Sequence, residues 1–239
     1  MQSALKLQLV ESACLPYRVV SHFDYLWARG KLGNDPAFTS LLEQGMFNQC
    51  HRVLDLGCGR GLLAAWFLAA EQLMVTCQWV PDFDVPTRIA FHGVDLHDVA
   101  CAAGNRALQP LFGDRVSLVS GDMCLADLRG YDAIAILDVL HYISYTQQDM
   151  LLDKIRAALE PGGLLITRVG NAQGGWRFRF SQWIDLAVSF AQGNQIRSLY
   201  CRSVDDWTHA LKSRGFTVTA QPMSNGTPFA NVLLVARVP

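Results

Sequence analysis

The 239-residue sequence predicts an α/β fold, an open and largely parallel sheet with helices packed on it. Three observations carry that prediction. Short apolar runs alternate with segments of helical period. One run, Val53-Leu54-Asp55-Leu56, breaks at three closely spaced glycines, Gly57, Gly59 and Gly61, and a helix over 62–70 follows. Two final apolar runs, 216–220 and 231–236, are joined by a short turn carrying Pro222, Gly226 and Pro228, which implies an antiparallel hairpin.

Bulk properties bound the rest. The length suits one domain over 1–239, and 51% hydrophobic residues are ample for a large core. Lys and Arg number 20 against 21 Asp and Glu, for a net charge of -1. No Lys/Arg-rich run appears, so no nucleic-acid partner is expected. The seven cysteines show no C-x-x-C pairing and read as reduced thiols of a cytoplasmic protein. The start, MQSALKLQLVESA, is a poor signal peptide. The most apolar run, 133–143, is interrupted by Asp138 and is too short for a membrane span.

Residues 1–50 precede the first strand. Leu5, Leu9 and Ser12 begin a helix that stops near Pro16, and Phe38, Leu41, Leu42 and Met46 place a second over 36–47. The segment reads as an N-terminal helical cap on one edge of the sheet. A second reading has Tyr17, His22, Tyr25 or Trp27 lining a substrate pocket, since such pockets are commonly apolar and aromatic.

The turn after the first strand is the most informative stretch. Glycines let the backbone bend sharply and approach a ligand with no Cβ between them. The helix that follows aims free N–H groups over the turn. Asp55 lies at the carboxyl end of the strand, where open α/β sheets bind ligands. The motif VLDLGCGRG resembles motif I of the class I S-adenosylmethionine (SAM) dependent methyltransferases. Its third glycine comes one residue early for the dinucleotide pattern G-x-G-x-x-G, which favours SAM over NAD.

That resemblance implies a Rossmann-like seven-stranded sheet whose last strand is antiparallel and inserted between the fifth and sixth. It also implies a set of roles. Asp55, Gly57, Cys58, Gly59 and Gly61 line the cofactor. Residues 72–91, with two prolines and no clear period, are a loop or insertion whose role is not readable. Asp95, at the end of the second strand, accepts hydrogen bonds from the ribose, with Leu96 beside it. A helix over 99–108 leads to the third strand, 116–119, and to Gly121-Asp122-Met123. There Asp122 would take the adenine amine and Met123 would pack on the base. The fourth strand, 131–137, ends in Asp138, which would hold the methionyl end or border the acceptor. A helix over 148–159 and the turn Glu160-Pro161-Gly162-Gly163 lead to the fifth strand, 164–169, and LEPGGLLI is a frequent companion of these motifs.

Residues 171–202 are longer than a usual link and read as an inserted helical segment. Five arginines (Arg168, Arg177, Arg179, Arg197, Arg202) face one acid, Asp185, between 168 and 202. The segment is either a helix packed on the sheet with solvated arginines, or a lid offering cations to an acceptor's carboxylate, phosphate or acidic carrier protein. Ser203 and Asp206 resemble a capping box that starts a helix through Lys212.

The resemblance makes the protein a methyltransferase using SAM and releasing S-adenosylhomocysteine. The acceptor must be held in line with the methyl group and away from water. For an oxygen acceptor of high pKa, His141 is the candidate base, with packing as the alternative. No metal is expected, because Arg168-Val169-Gly170-Asn171 replaces the acidic and Asp-Asn residues of metal-dependent catechol methylation. WRFRFSQWID and MSNGTPFANVLLVAR resemble methyltransferases encoded with aryl polyene pigment biosynthesis. That implies a hydroxyaryl or polyene acceptor, free or tethered to an acyl carrier protein. A protein or RNA acceptor, a SAM-binding protein without transferase activity, and a nicotinamide oxidoreductase are the other readings.

Overall fold

The computed structural model describes residues 1, 3–78, 82–170, 199–223 and 230–239. The expected insertion therefore lies outside the described residues, apart from its last four, 199–202. A seven-stranded sheet runs through the fold in the order 3-2-1-4-5-7-6 by position in the chain. The chain divides into two compact units.

The first unit spans 1–127 with 131–133. Helix α1 (Ser3–Cys14) buries Leu9, Val10, Ala13 and Cys14 on one face. A 3-10 turn (Leu15–Val19) follows, with Pro16 in its first turn, where a missing N–H costs nothing. Helix α2 (His22–Asn34) is capped by Ser21, whose hydroxyl accepts from Asp24 N at 3.0 Å. Helix α3 (Pro36–Glu43) is capped by Asp35 and buries Ala37, Phe38, Leu41 and Leu42. It ends before the expected 47, because Gly45 takes a left-handed φ of 61°. Met46 N then bonds Leu41 O at 3.1 Å and Gly45 N bonds Leu42 O at 3.0 Å, which closes the last turn.

Strands β1 (Arg52–Leu56), β2 (Ala90–Asp95) and β3 (Val116–Ser120) pair in parallel, with Asp55 opposite Gly93 and Gly93 opposite Leu118. Helix α4 (Leu62–Val75) is buried at every position from Leu62 to Glu71, as a helix apolar all round must be. Phe47, Phe67 and Phe91 pack in one aromatic cluster, with ring centroids 5.0 to 6.2 Å apart. Helix α5 (Asp98–Phe112) carries Pro110 in its final turn and runs past the expected 108.

The second unit spans 128–130 with 134–239. It holds all but the first residue of β4 (Ala133–Leu137), a 3-10 turn (Leu140–Tyr142), α6 (Tyr145–Ala158) and β5 (Leu164–Gly170). Helix α7 (Val204–Lys212), β6 (Thr217–Pro222) and β7 (Asn231–Arg237) complete it. Strand β7 pairs antiparallel with both β5 and β6, so the last strand is inserted between them as expected. Helix α6 starts three residues before the expected 148, because Ser144 and Gln147 form a capping box. Ser203 and Asp206 form the one expected at α7. Among the described residues no helix is long and apolar enough to cross a membrane.

Candidate functional site

In the first unit the glycine turn is built on left-handed backbone. Gly57, Gly59 and Gly61 have φ of 82°, 52° and 73°, a region costly for residues with a Cβ. The N–H groups of Gly57 and Cys58 both point at Val94 O, at 2.7 and 3.3 Å, which anchors the turn to the end of β2. The glycines then differ in purpose. A Cβ on Gly59 would meet nothing within 4 Å, so this residue faces open space. A Cβ on Gly61 would lie 2.7 Å from Leu118 Cδ1, so Gly61 serves close packing. The Cys58 side chain turns inward against Gly93, leaving its backbone to the turn. A hydrogen bond shared with Cys101, together with burial, holds the Cys58 thiol above its ordinary range.

Helix α5 reaches the turn through Gly104, where a Cβ would sit 2.4 Å from Leu118 Cδ1 and 2.5 Å from the Arg60 carbonyl oxygen. The second clash is with backbone and cannot relax by a rotamer change. Alanine is the better helix former by about 1 kcal/mol. Gly104→Ala is nevertheless expected to lose about 1–3 kcal/mol through overpacking. Urea unfolding reads the difference, and a variant as stable as the parent would contradict the close approach.

The acidic residues expected at the strand ends are all present there. Asp95 accepts from Gly59 N at 2.8 Å through Oδ2 and from His97 N at 2.9 Å through Oδ1. Each carboxylate oxygen has two lone pairs, so these bonds leave Asp95 acceptor capacity for a diol. Gly121 N bonds Asp95 O at 2.9 Å and brings the Asp122 turn beside it. Asp122 accepts from Cys124 N at 2.8 Å. Leu96 is exposed and Met123 half-buried. Asp55 is buried, and burial followed by the charge of Asp95 pushes its carboxyl up to about 7. The residues fit a ligand that is cationic and carries hydroxyl donors.

Of the N-terminal aromatics, Tyr17 and Tyr25 are buried and do not line an open pocket. The Tyr17 hydroxyl donates to Arg60 O at 2.8 Å, and Tyr25 bonds Glu11, Arg18 and Arg29. His22 is exposed, and Trp27 lies over the Arg60 guanidinium.

In the second unit, Asp138 directly follows β4 and has a left-handed φ of 62°, uncommon for a residue other than glycine. Its N–H bonds Arg168 O at 3.2 Å. Arg168 Nε donates to Asp138 Oδ1 at 2.8 Å, and Nη2 meets the other oxygen. Arg168 is 3% exposed, so it is not one of a row of solvated arginines. Arg202 is likewise engaged, by Asp149 at 2.7 Å. Arg177, Arg179 and Arg197 lie outside the described residues.

His141 sits in the 3-10 turn after β4. Burial lowers its imidazole below the ordinary value, against an upward pull from Asp138. It is therefore neutral near pH 7, the form in which an imidazole accepts a proton. One hydrogen bond holds its backbone directly, and a buried amide holds the turn around it. Tyr200 N bonds His141 O at 2.8 Å. The buried Gln148 amide reaches Leu140 O, Ile143 O and Tyr200 O at 2.9, 3.1 and 2.8 Å. Sequence reasoning passed over Gln148 and the Asp138–Arg168 pair. An arginine inside the apolar strand LLITRVG was the available signal, since a buried cation demands a partner.

A parallel sheet entered by a glycine turn, with the last strand antiparallel between strands five and six, is the class I methyltransferase architecture. A family profile described as a methyltransferase domain matches residues 17–221, and the chain belongs to that family. No curated protein sequence matches the chain. Among solved structures, it is similar to an O-methyltransferase family protein from Burkholderia thailandensis, at 15% identity and a TM-score of 0.64, over 92% of this chain and 61% of that one. It is similar to magnesium protoporphyrin IX methyltransferase from Synechocystis PCC 6803 with bound S-adenosylhomocysteine, at 14% identity and 0.59, over 99% of both chains. It also resembles human N-acetylserotonin methyltransferase in complex with SAM, at 16% identity and 0.58, over 100% of this chain and 60% of that one. The chain thus spans about three fifths of the Burkholderia and human proteins and nearly all of the cyanobacterial one.

Proposed function

We propose that the protein transfers the methyl group of S-adenosylmethionine to a small organic acceptor and releases S-adenosylhomocysteine. One observation carries the reading. Asp55, Asp95 and Asp122 stand at the ends of three adjacent strands beside a turn that Gly59 leaves open. When bound, the cofactor supplies an electrophilic methyl carbon on a sulfonium. The chain's own residues bind and orient. Asp95 accepts the ribose hydroxyls, with Leu96 beside it. Asp122 accepts the adenine amine, and Met123 packs on the base. The backbone of Gly57, Cys58, Gly59 and Gly61 shapes the turn, and Asp138, held by Arg168, serves the methionyl end. His141 takes the proton from an acceptor hydroxyl. The acceptor we infer is a hydroxyaryl or polyene intermediate, free or on an acyl carrier protein, in keeping with the arginine-rich segment 171–202.

The test is methyl transfer from radiolabelled SAM to hydroxyaryl and polyene acids, each offered free and loaded on an acyl carrier protein. Label in the carrier-bound product alone supports the tethered acceptor. Equal labelling of the free acid counts against the carrier, and label in none of them overturns the acceptor class.

Asp55 makes the binding step pH-dependent. A positively charged ligand favours the ionised carboxylate, whose pKa without ligand is about 7. SAM affinity should be flat above about pH 8 and weaken as pH falls through 7, by up to about tenfold per pH unit. Stability without ligand moves the other way. The folded state keeps the Asp55 proton longer than the unfolded chain, so stability declines as pH rises from 3.8 to about 7. Asp55→Asn should bind SAM weakly at every pH. Calorimetry near pH 6 and pH 8 checks this, and a constant wild-type Kd would remove Asp55 from the binding step.

A further inference from the structure

We propose that Arg60 is a positioning residue, through which the 3-10 turn and helix α2 hold the glycine turn ready for the cofactor. The proposal rests on the assignment of that turn to SAM. Contacts converge on Arg60 from three elements. Its guanidinium pairs with Asp24 on α2. Asp24 is 7% exposed; burial raises its carboxyl, but hydrogen bonds from Ser21 and Arg60 carry it below the usual value. The rings of Trp27 and Phe23 lie 4.8 and 5.8 Å from the Arg60 guanidinium carbon. The Arg60 carbonyl accepts the Tyr17 hydroxyl at 2.8 Å and presses against Gly104 of α5.

The position of this residue in the chain gives the contacts their meaning. Arg60 lies between Gly59, whose N–H is bonded to Asp95, and Gly61, whose φ is 73°. Three glycines in five residues make the turn entropically expensive to fix, at about 1–2 kcal/mol per residue for the backbone alone. If ligand had to order the turn, that cost would subtract from affinity. Cys58 is held inward against Gly93 and Cys101, and Arg60 is the side chain of the turn that the N-terminal elements grip. The grip orders the turn when the protein folds, before any ligand arrives. The N-terminal helices are then a working part of the cofactor site as well as a layer packed on α4.

The test compares the full-length wild type with Arg60→Met, Arg60→Lys, Asp24→Asn and the Asp24→Asn/Arg60→Met double variant. Calorimetry with S-adenosylhomocysteine gives Kd, and steady-state assays separate KM for SAM from kcat. A charge-assisted contact of this kind corresponds to about tenfold in affinity. Arg60→Met should raise Kd and KM by about that factor, with kcat at saturating SAM within about twofold. Arg60→Lys should recover most of the affinity. The double variant should be no worse than Arg60→Met, because the two side chains act as a unit. Asp24→Asn alone gives the same reading if Arg60→Met does not fold. Unchanged Kd in folded variants, whatever their melting temperature, would overturn the proposal while leaving the cofactor reading intact. Absence of heat with the wild type would overturn the cofactor reading itself and take this proposal with it.

Discussion

Alanine at His141 is expected to lower kcat by about 100- to 10,000-fold and to leave SAM affinity unchanged. The size follows from the oxygen acceptor and the role of His141 that we propose. A neutral phenol is a poor nucleophile, and a positioned base supplies that range by removing its proton in the transition state. His141 is suited to the task because burial keeps its imidazole neutral near pH 7. The pH profile carries the same information with a definite sign. The folded pKa is below the ordinary value of 6.5, so the acidic limb of the wild-type rate should fall below that value. Stability shares the direction. A histidine depressed in the folded state contributes stability above its unfolded pKa and loses it as pH falls through the folded one. Unchanged turnover in His141→Ala would leave positioning as the sole catalytic effect.

Methionine at Arg168 is expected to cost about 1–3 kcal/mol of folding stability, because it removes charge-assisted hydrogen bonds and leaves the half-buried Asp138 carboxylate without its cation. The remaining partner would be Asp138, already in a left-handed conformation that β4 must hold in place. Arg168→Met/Asp138→Asn should recover part of the loss, since it removes both charges. Urea unfolding of the single and double variants measures this. A stable single variant with no recovery in the double would show that the pair contributes nothing.

How far these features could be read in advance depended on the separation of the partners. The β1 turn was legible because its cause is local: three glycines need left-handed backbone. The Ser203–Asp206 cap was legible for the same reason, and the Ser144–Gln147 cap was equally local but was not read. Gly45, which ends α3 early, was overlooked because the apolar spacing of Phe38, Leu41, Leu42 and Met46 continues past it. Asp95 and Asp122 were placed by motif, and the inserted last strand by resemblance. Arg60 and Arg168 belong to another category. Their partners, Asp24 and Asp138, lie 36 and 30 residues away, and nothing in the intervening chain announces the pairing. Buried charges are decided by tertiary proximity, which periodicity does not encode.

The mooring at Tyr200 has an evolutionary corollary. Gly170 is paired with Asn231 on one side of residues 171–198, and Tyr200 is tied to His141 and Gln148 on the other. Selection on the fold therefore reaches the His141 turn through two anchors far apart in sequence, Tyr200 and Gln148, and a change at either is felt there.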